Sequence, residues 1–458
     1  MDTNSLVALP TYNRLNFFNF SSILNWSASA ILVNRLDYRD DFKFVKIGKL
    51  IHRVKDTVKI QDDIIYQRVT IRVQGRGVTE RDREIGKNIG TKNQFRVSAG
   101  QFIMSKIDAR NGAFGIVPKE LEGAAVTQDF LTYSFNTNLL VPEFFVLLTT
   151  TKQFYDLCQR ASSGTTNRQR IDEQLFLNFE IPVPSLEEQM KLVEAYNDKV
   201  LEAERLESEI IELSKERESY FIDSLQLLPI EKKEKNRFFQ IYSYSELQRW
   251  DIFSMDNEIY KGLKNSKYSI ITIGQVYKFV HRGWNKNKEK ENTFNYVELG
   301  DIDFVKNIIA SKKIEIAKAP SRATQIIYTN DLIIGTTRPY LKRFAIVTDE
   351  YNGYVCSSGF SVITPSETYN LEFLKLFLLS TYGIEQLKNK MSGALYPAIT
   401  ESSLKEIFIP FPKIEIQNQI VAHINKIDAK ILNNGKIAQL NRTQALENFE
   451  NALFNSKK

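Results

Sequence analysis

Histidine and cysteine are nearly missing from this chain, with three and two respectively in 458 residues. His52, His281 and His423 stand far apart, and Cys158 and Cys356 fall in different halves at positions that do not correspond. No spacing among them matches a zinc site. Two such thiols read as buried side chains in a reducing cytoplasm, not as a staple. The acidic pairs Asp62-Asp63 and Asp301/Asp303 suit turns and strand ends better than a Mg²⁺ site. No apolar run reaches the length of a membrane span. The N-terminus carries Asp2 and lacks a basic stretch followed by an apolar core, so it does not read as a signal peptide. None of the 12 prolines is adjacent to another, so the chain lacks the polar-Pro-Pro-aromatic loop that holds a flipped adenine for methylation. A Gly-x-x-x-x-Gly-Lys-Ser/Thr phosphate loop is missing too, which argues against an ATP-driven motor.

What the chain has instead is itself, twice. Gly100–Phe130 returns as Asn330–Phe360: Ile103 meets Ile333, Phe114 meets Phe344, Ile116-Val117 meets Ile346-Val347, and Gly123 meets Gly353. Ile181-Pro182-Val183-Pro184 returns as Ile409-Pro410-Phe411-Pro412, with Gln189 on Gln417 and Val193 on Val421. Upstream, Ile47-Gly48 is echoed by Ile273-Gly274, and Trp26 by Trp250. The register drifts by only a few residues across each half, which marks a duplication. Two such units can stack about a pseudo-two-fold axis, an arrangement suited to a target with two halves. A hydrophobic content of 43% and a charged content of 25% describe a globular chain able to form two or three cored domains.

Each half is predicted to begin with short apolar strands. They are Phe44–Leu50, Ile64–Val73, Phe102–Lys106 and Gly115–Pro118, then Ile270–Val276, Tyr296–Leu299, Asp331–Thr336 and Phe344–Val347. A helix is predicted over Pro142–Arg160 and over Leu371–Met391, each followed by a loop bearing Gly164 or Gly393. The Pro-x-Pro steps then launch two long helices with narrow apolar stripes. The first stripe runs through Val193, Tyr196, Val200, Ala203, Leu206, Ile210, Leu213 and Tyr220. The second uses Ile420, Ile424, Ile427 and Ile431, continuing less cleanly through Ile437, Leu440, Leu446, Phe449 and Leu453. Neither helix can bury its stripe alone, and the economical partner for each is the other, in an antiparallel pair. About 40 residues of helix reach about 60 Å, enough to hold two heads apart. Asp223–Asn236, with Lys232, Lys233 and Lys235, is the expected linker.

Net charge is a modest +6, but its distribution is uneven. Arg68, Arg72, Arg76, Arg81, Arg83, Lys87, Lys92 and Arg96 crowd one stretch of the first half. Lys278, His281, Arg282, Lys286, Lys288 and Lys290, then Arg338, Lys342 and Arg343, mark the second. Interleaved with Trp284 and Tyr340, they suit a surface that tracks phosphates.

Taken with the repeat, the run Ser105-Lys106-Ile107-Asp108-Ala109-Arg110-Asn111-Gly112-Ala113-Phe114-Gly115-Ile116-Val117 resembles the specificity subunits of type I DNA restriction-modification systems. Thr337-Arg338-Pro339-Tyr340-Leu341-Lys342-Arg343 stands in its place in the second half, and the Ile-Pro-x-Pro steps leading to Gln189 and Gln417 resemble the start of that family's helical regions. The resemblance covers nearly the whole chain. It implies an α+β fold: two tandem pseudo-repeated target-recognition domains, 1–170 and 237–398, separated by two long antiparallel coiled-coil spacer helices. The helices fall in 171–236, which includes the linker, and in 399–458. Such subunits read a bipartite, asymmetric double-stranded DNA site with the helices as a ruler. They bind two modification subunits that methylate adenine, and motor-nuclease subunits join for restriction. S-adenosylmethionine, ATP and Mg²⁺ are then expected only on those partners. The chain itself is expected to be non-catalytic, cytoplasmic and without cofactor, metal or membrane contact.

Charge and position select the candidate DNA contacts. Lys106, Arg110 and Asn111 lie on the turn after an apolar strand, and Arg338, Tyr340, Lys342 and Arg343 occupy the corresponding place. Arginine suits bidentate contact with guanine, and lysine suits phosphate. Arg72, Arg76, Arg81, Arg282 and Lys286 are candidates for backbone phosphate, Trp284 lies beside Arg282, and Tyr396 approaches from the loop after Gly393. Bracing of a carboxylate within the same domain is the competing role for Lys106 and Arg338. Two other readings stay open: a stand-alone or silent DNA-binding recognition protein, and, against the missing motifs, a self-contained methyltransferase or nuclease.

Overall fold

The proline steps ahead of the long helices form short strands clamped by an earlier segment of the same half. Glu180–Pro182 pairs antiparallel with Phe44–Lys46, and Phe408–Pro410 pairs likewise with Ile270–Thr272. The chain then turns into a single helical turn, Ile47–Leu50 and Ile273–Val276, where a continuous strand was expected from the apolar run. Packing explains the glycines there. A Cβ on Gly48 falls 3.2 Å from the Leu177 carbonyl oxygen, and one on Gly274 falls 2.8 Å from Lys405 Cβ.

The computed structural model describes residues 38–39, 41–163, 170–228, 230, 258–393 and 395–454. Trp26, Trp250, Gly164, Lys232, Lys233 and Lys235, named above, lie outside the described residues. The chain forms two compact units, Met1–Arg205 with Ile437–Lys458, and Leu206–Lys436. No helix among the described residues is long and apolar enough to cross a membrane.

Among the described residues each unit carries two larger sheets beside short two-stranded pairs, and the strand order of the larger ones repeats except that the first strand of the five-stranded sheet has no counterpart. In the first unit, one sheet runs Ile51–Val54, Phe130–Phe135, Phe102–Ser105, Phe114–Ile116. The other runs Asp56–Lys59, Asn93–Arg96, Ala125–Val126, Ile65–Ile71, Val78–Ile85. In the second unit the first sheet becomes Phe279–Val280, Phe360–Ile363, Leu332–Gly335, Phe344–Ile346. The other becomes Ala323–Ile326, Val355–Ser357, Thr293–Val297, Lys312–Glu315. Backbone hydrogen bonds place the duplication in register. Gly100 N–H donates to Val117 O as Asn330 N–H does to Val347 O, Ser105 to Ala113 O as Gly335 to Arg343 O, and Gly123 to Val97 O as Gly353 to Ile327 O. Gly100, Asn330, Gly123 and Gly353 all take positive φ, the conformation that glycine and asparagine tolerate best.

The helix expected over Pro142–Arg160 is two helices, Pro142–Thr149 and Lys152–Arg160. The one expected over Leu371–Met391 is likewise two, Leu371–Leu379 and Thr381–Lys390. A hydroxyl makes the break each time: Thr151 Oγ1 accepts from Phe154 N–H and Ser380 Oγ from Gly383 N–H, both at 3.3 Å. These are N-caps, which start a second helix within an apolar pattern that never falters. Aromatic rings fill the first unit's core, where Phe102 meets Phe145 edge-on at 5.0 Å and Phe114 meets Phe154 at 5.7 Å.

Leu186–Ser224 and Ile414–Leu453 are the long helices, of 39 and 40 residues. Ser185 and Glu188 cap the first reciprocally. Within each unit the described helical segments pair antiparallel. Lys199 Nζ donates to Gln444 Oε1 at 3.1 Å in the first unit. In the second, Arg217 meets Asp428 at 2.8 Å and Tyr220 stacks on His423 at 3.9 Å. The stripe is buried at Ala203 in the first unit and at Leu206, Leu213, Ile420, Ile424 and Ile427 in the second. Its expected continuation through Ile437 and Leu440 is corrected: both are exposed, and Ala438 and Ala445 are buried instead.

Gln189 and Gln417 tie each long helix to its own unit. Both side chains are fully buried. Gln189 Oε1 accepts from Val141 N–H at 2.8 Å, and its Nε2 donates to Leu139 O at 3.0 Å and Pro184 O at 2.9 Å. Gln417 repeats the pattern with Asn370 N–H at 2.7 Å, Thr368 O at 3.4 Å and Pro412 O at 2.7 Å. Val141 and Asn370 are the N-cap residues of the helices Pro142–Thr149 and Leu371–Leu379. One amide therefore holds three backbone groups, on two segments, in each unit.

Candidate nucleic-acid interface

In the first unit, strand Phe102–Ser105 leads into a short helical turn, Ala109–Asn111, that ends at Gly112 with φ +76°. The Tyr155 ring lies where a Cβ on Gly112 would fall, 2.5 Å from Cζ. Only glycine fits that cradle. Asn111 O and Gly112 O accept from Gln74 N–H and Gly75 N–H at 2.8 and 2.9 Å. The tip of the hairpin formed by Ile65–Ile71 and Val78–Ile85 is thus locked onto the turn. Sequence reading missed this junction, although Gly75 and Gly77 in the run Arg72–Gly77 were its signal.

The junction brings Arg72, Arg76, Arg110 and Asn111 to one place. Arg72, Arg76 and Asn111 are exposed. Arg76 Nη2 donates to Gln74 Oε1 at 2.6 Å, and Asn111 Nδ2 donates to Asp108 Oδ1 at 3.2 Å. Arg81 is the extra residue of a β-bulge, since Arg68 pairs with Asp82 and Val69 with Glu80. A bulge re-aims its side chain, and that of Arg81 is 62% exposed. Lys106 is half-buried, its backbone held between Asp129 O and Ile171 N–H. Arg170, not singled out above, pairs with Asp129 at 3.1 Å next to it.

The second unit builds the corresponding turn from different residues. Asp108 gives way to Arg338 and Gly112 to Lys342, while Arg110 and Asn111 correspond to Tyr340 and Leu341. Arg338 and Lys342 both take left-handed backbone, φ +49° and +58°, at a cost of roughly 1 kcal/mol each. Pro339–Leu341 forms the turn between them, with Tyr340 and Leu341 exposed. Arg338 Nη2 donates to Leu395 O at 3.2 Å, and the guanidinium lies 5.1 Å from the Tyr396 ring centre.

Several of the expected basic contacts are engaged inside their own unit. Arg282 is bidentate to Asp331, at 2.5 and 3.1 Å, and sits 4.9 Å from the Tyr328 ring centre. Arg343 donates to the Ile302 carbonyl. Lys342 points at Phe304, 5.7 Å away, and burial holds its ammonium below the usual lysine range. Trp284 packs on Phe294, ring centres 4.4 Å apart. Lys286 is exposed on a short helical turn. His281 contacts Gln325 at 3.3 Å, and His423 is the helix-pair stacking partner already described.

Among the described residues no group of three or more His, Cys, Asp or Glu is placed to hold a metal. The acidic pairs serve turns: Asp62 meets Lys92 at 2.7 Å, Asp301 accepts from Glu298 N–H, and Asp303 accepts from Val305 and Lys306 N–H. Both thiols are free and buried, and burial pushes Cys356 up to about 12 and Cys158 higher still. Neither has thiolate character at neutral pH.

Comparison with known proteins places this architecture. A family model described as the type I restriction modification DNA specificity domain matches residues 39–212 and 264–442. The type I restriction enzyme HindI specificity subunit of Haemophilus influenzae is 30% identical over 196 residues, 42% of this chain and 40% of that protein. The MjaIX specificity subunit of Methanocaldococcus jannaschii is 29% identical over 134 residues, 29% of this chain and 30% of that one. The chain therefore aligns with less than half the length of either relative. A solved structure from work on complex assembly and conformational transition of the type I R-M system superposes with a TM-score of 0.56 at 14% identity. It covers 91% of this chain and 97% of that one, a likeness of fold.

Proposed function

The chain belongs to the type I restriction modification DNA specificity family, and from that premise we propose that it is the specificity subunit of a type I restriction-modification complex. It binds a bipartite, asymmetric double-stranded DNA site and brings modification subunits to it. The observation that carries this reading is the family domain occurring twice, with each copy presenting an exposed turn at the end of the same strand. Unlike residues at those two turns require unlike half-sites.

In the first unit the contacts are Arg72, Arg76, Arg81, Arg110 and Asn111, with Lys106 behind them. In the second they are Arg338, Tyr340, Tyr396 and Lys286. Arg282, Lys342 and Arg343 act as internal braces. The long helices set the distance between half-sites. Two modification subunits supply S-adenosylmethionine chemistry, motor-nuclease subunits supply ATP and Mg²⁺ chemistry, and the assembly works in the cytoplasm. The chain itself does no chemistry, consistent with its missing methyltransferase and phosphate-loop motifs.

A methyl-transfer assay tests this. The purified chain with S-adenosylmethionine and genomic DNA is expected to transfer nothing. With its cognate methyltransferase subunit, adenine methylation at one split motif is expected. Transfer by the chain alone, or an unchanged motif when it is left out, contradicts the proposal.

A further inference from the structure

Leu395 and Tyr396 are the most exposed large apolar side chains among the described residues, at 82% and 72%. Their loop is not loosely held. Ser392 and Ala398 exchange two backbone hydrogen bonds at 2.9 Å, Arg338 N–H donates to Pro397 O at 2.8 Å, and Ile399 N–H donates to Thr336 O at 2.9 Å. The Arg338 guanidinium adds its bond to Leu395 O and its approach to the Tyr396 ring. Tyr340 and Leu341, 37% and 49% exposed, follow Arg338 after Pro339. A braced loop and turn thus hold four large apolar residues in solvent around one arginine. Exposed apolar surface of that kind marks a binding site.

The register of the duplication sharpens the point. Where the second unit has Tyr340-Leu341, the first has Arg110-Asn111, which offers hydrogen-bond donors and an acceptor in place of apolar surface. The same backbone turn therefore carries two recognition chemistries. Apolar residues on a cationic nucleic-acid surface work by wedging between base pairs or stacking on a base. Arg338 supplies the cation, its Nη2 held by Leu395 O.

Resting on the DNA-binding reading above, we propose that the two units read their half-sites by different means. The first reads base edges by hydrogen bonding from Arg110 and Asn111. The second presses Leu395 and Tyr396, backed by Tyr340 and Leu341, against one base-pair step and partly unstacks it, with Arg338 on the flanking backbone. Specificity in the second half-site then comes from how readily that step deforms.

The test uses the full chain with its methyltransferase subunits, bound to duplexes carrying its split motif. 2-Aminopurine is placed one position at a time across both half-sites, away from the methylated adenines. Fluorescence is expected to rise several-fold at one step in one half-site only. The double variant L395A/Y396A loses that rise even at saturating protein and binds about tenfold or more weakly, whereas R110A/N111A, which also binds more weakly, keeps the rise once the duplex is saturated. The proposal is overturned if no step brightens while the duplex stays bound, or if the rise survives in L395A/Y396A. It is also overturned if that variant sheds its methyltransferase subunits while DNA distortion is unchanged, because the loop is then a protein contact. Failure of the DNA-binding reading looks different: the wild-type complex does not distinguish the motif duplex from a scrambled one.

Discussion

Replacing Gln417 by leucine is expected to destabilise its unit by about 3 kcal/mol, and Gln189→Leu by a similar amount. Leucine fills nearly the same volume, so little of this comes from a cavity. The loss comes from what is left behind. Without the amide, the carbonyl of Pro412 loses its partner in a buried place, the N–H of the half-buried Asn370 loses its own, and the carbonyl of the exposed Thr368 loses a long bond. Orphaning buried backbone groups costs about 1–3 kcal/mol each before relaxation. For a unit of this size about 3 kcal/mol corresponds to roughly 6–12 °C in the melting transition. Thermal unfolding followed by circular dichroism reads the shift directly. A Gln417→Leu variant that melts with wild type would show that the three bonds are incidental.

Asp331→Ala carries the second large effect, about 2–4 kcal/mol. Asp331 is buried, accepts from Tyr328 N–H at 2.8 Å, and takes both nitrogens of Arg282. Removing the carboxylate leaves a partly buried guanidinium and an unpaired amide. The duplication supplies an internal control. In the first unit Gln101 holds the same turn, its Oε1 accepting from Ser98 N–H at 3.0 Å. Asp331→Gln should therefore keep the turn, lose only the ion pair, and cost less than Asp331→Ala. Urea denaturation of both variants checks the order. A loss in Asp331→Gln equal to that in Asp331→Ala would mean that the ion pair carries the whole effect; no loss in Asp331→Gln would mean that Arg282 is not held by Asp331 in solution and is free to meet phosphate.

That last alternative shows where sequence reading stops. The duplication, the proline steps, the glutamine pair and the two long helices are all legible as residue identities at fixed spacing. Turn glycines are legible as well, because positive φ and close packing leave few other residues. Side-chain partnership is not. Arg282 and Arg72 look alike in a string of basic residues, yet one meets a carboxylate 49 positions away and the other faces solvent. The breaks at Thr151 and Ser380 escape notice because their caps interrupt the backbone without interrupting apolar periodicity. Pairing Lys106 and Arg110 with Arg338, Lys342 and Arg343 was sound as a place but not residue by residue. Only the hydrogen-bond register shows that Lys342 takes the position of Gly112 and Tyr340 that of Arg110. The apolar face of the second turn was hidden for the same reason: Tyr396 was noticed as an aromatic, and Leu395 beside it was passed over.

The most direct test of the central claim is a methylome of the host by long-read sequencing, with this gene intact and deleted. The account predicts one split motif with unequal halves, methylated on adenine in both strands, that disappears on deletion. A motif set unchanged by deletion, or loss of a contiguous palindrome in place of a split asymmetric site, would contradict it.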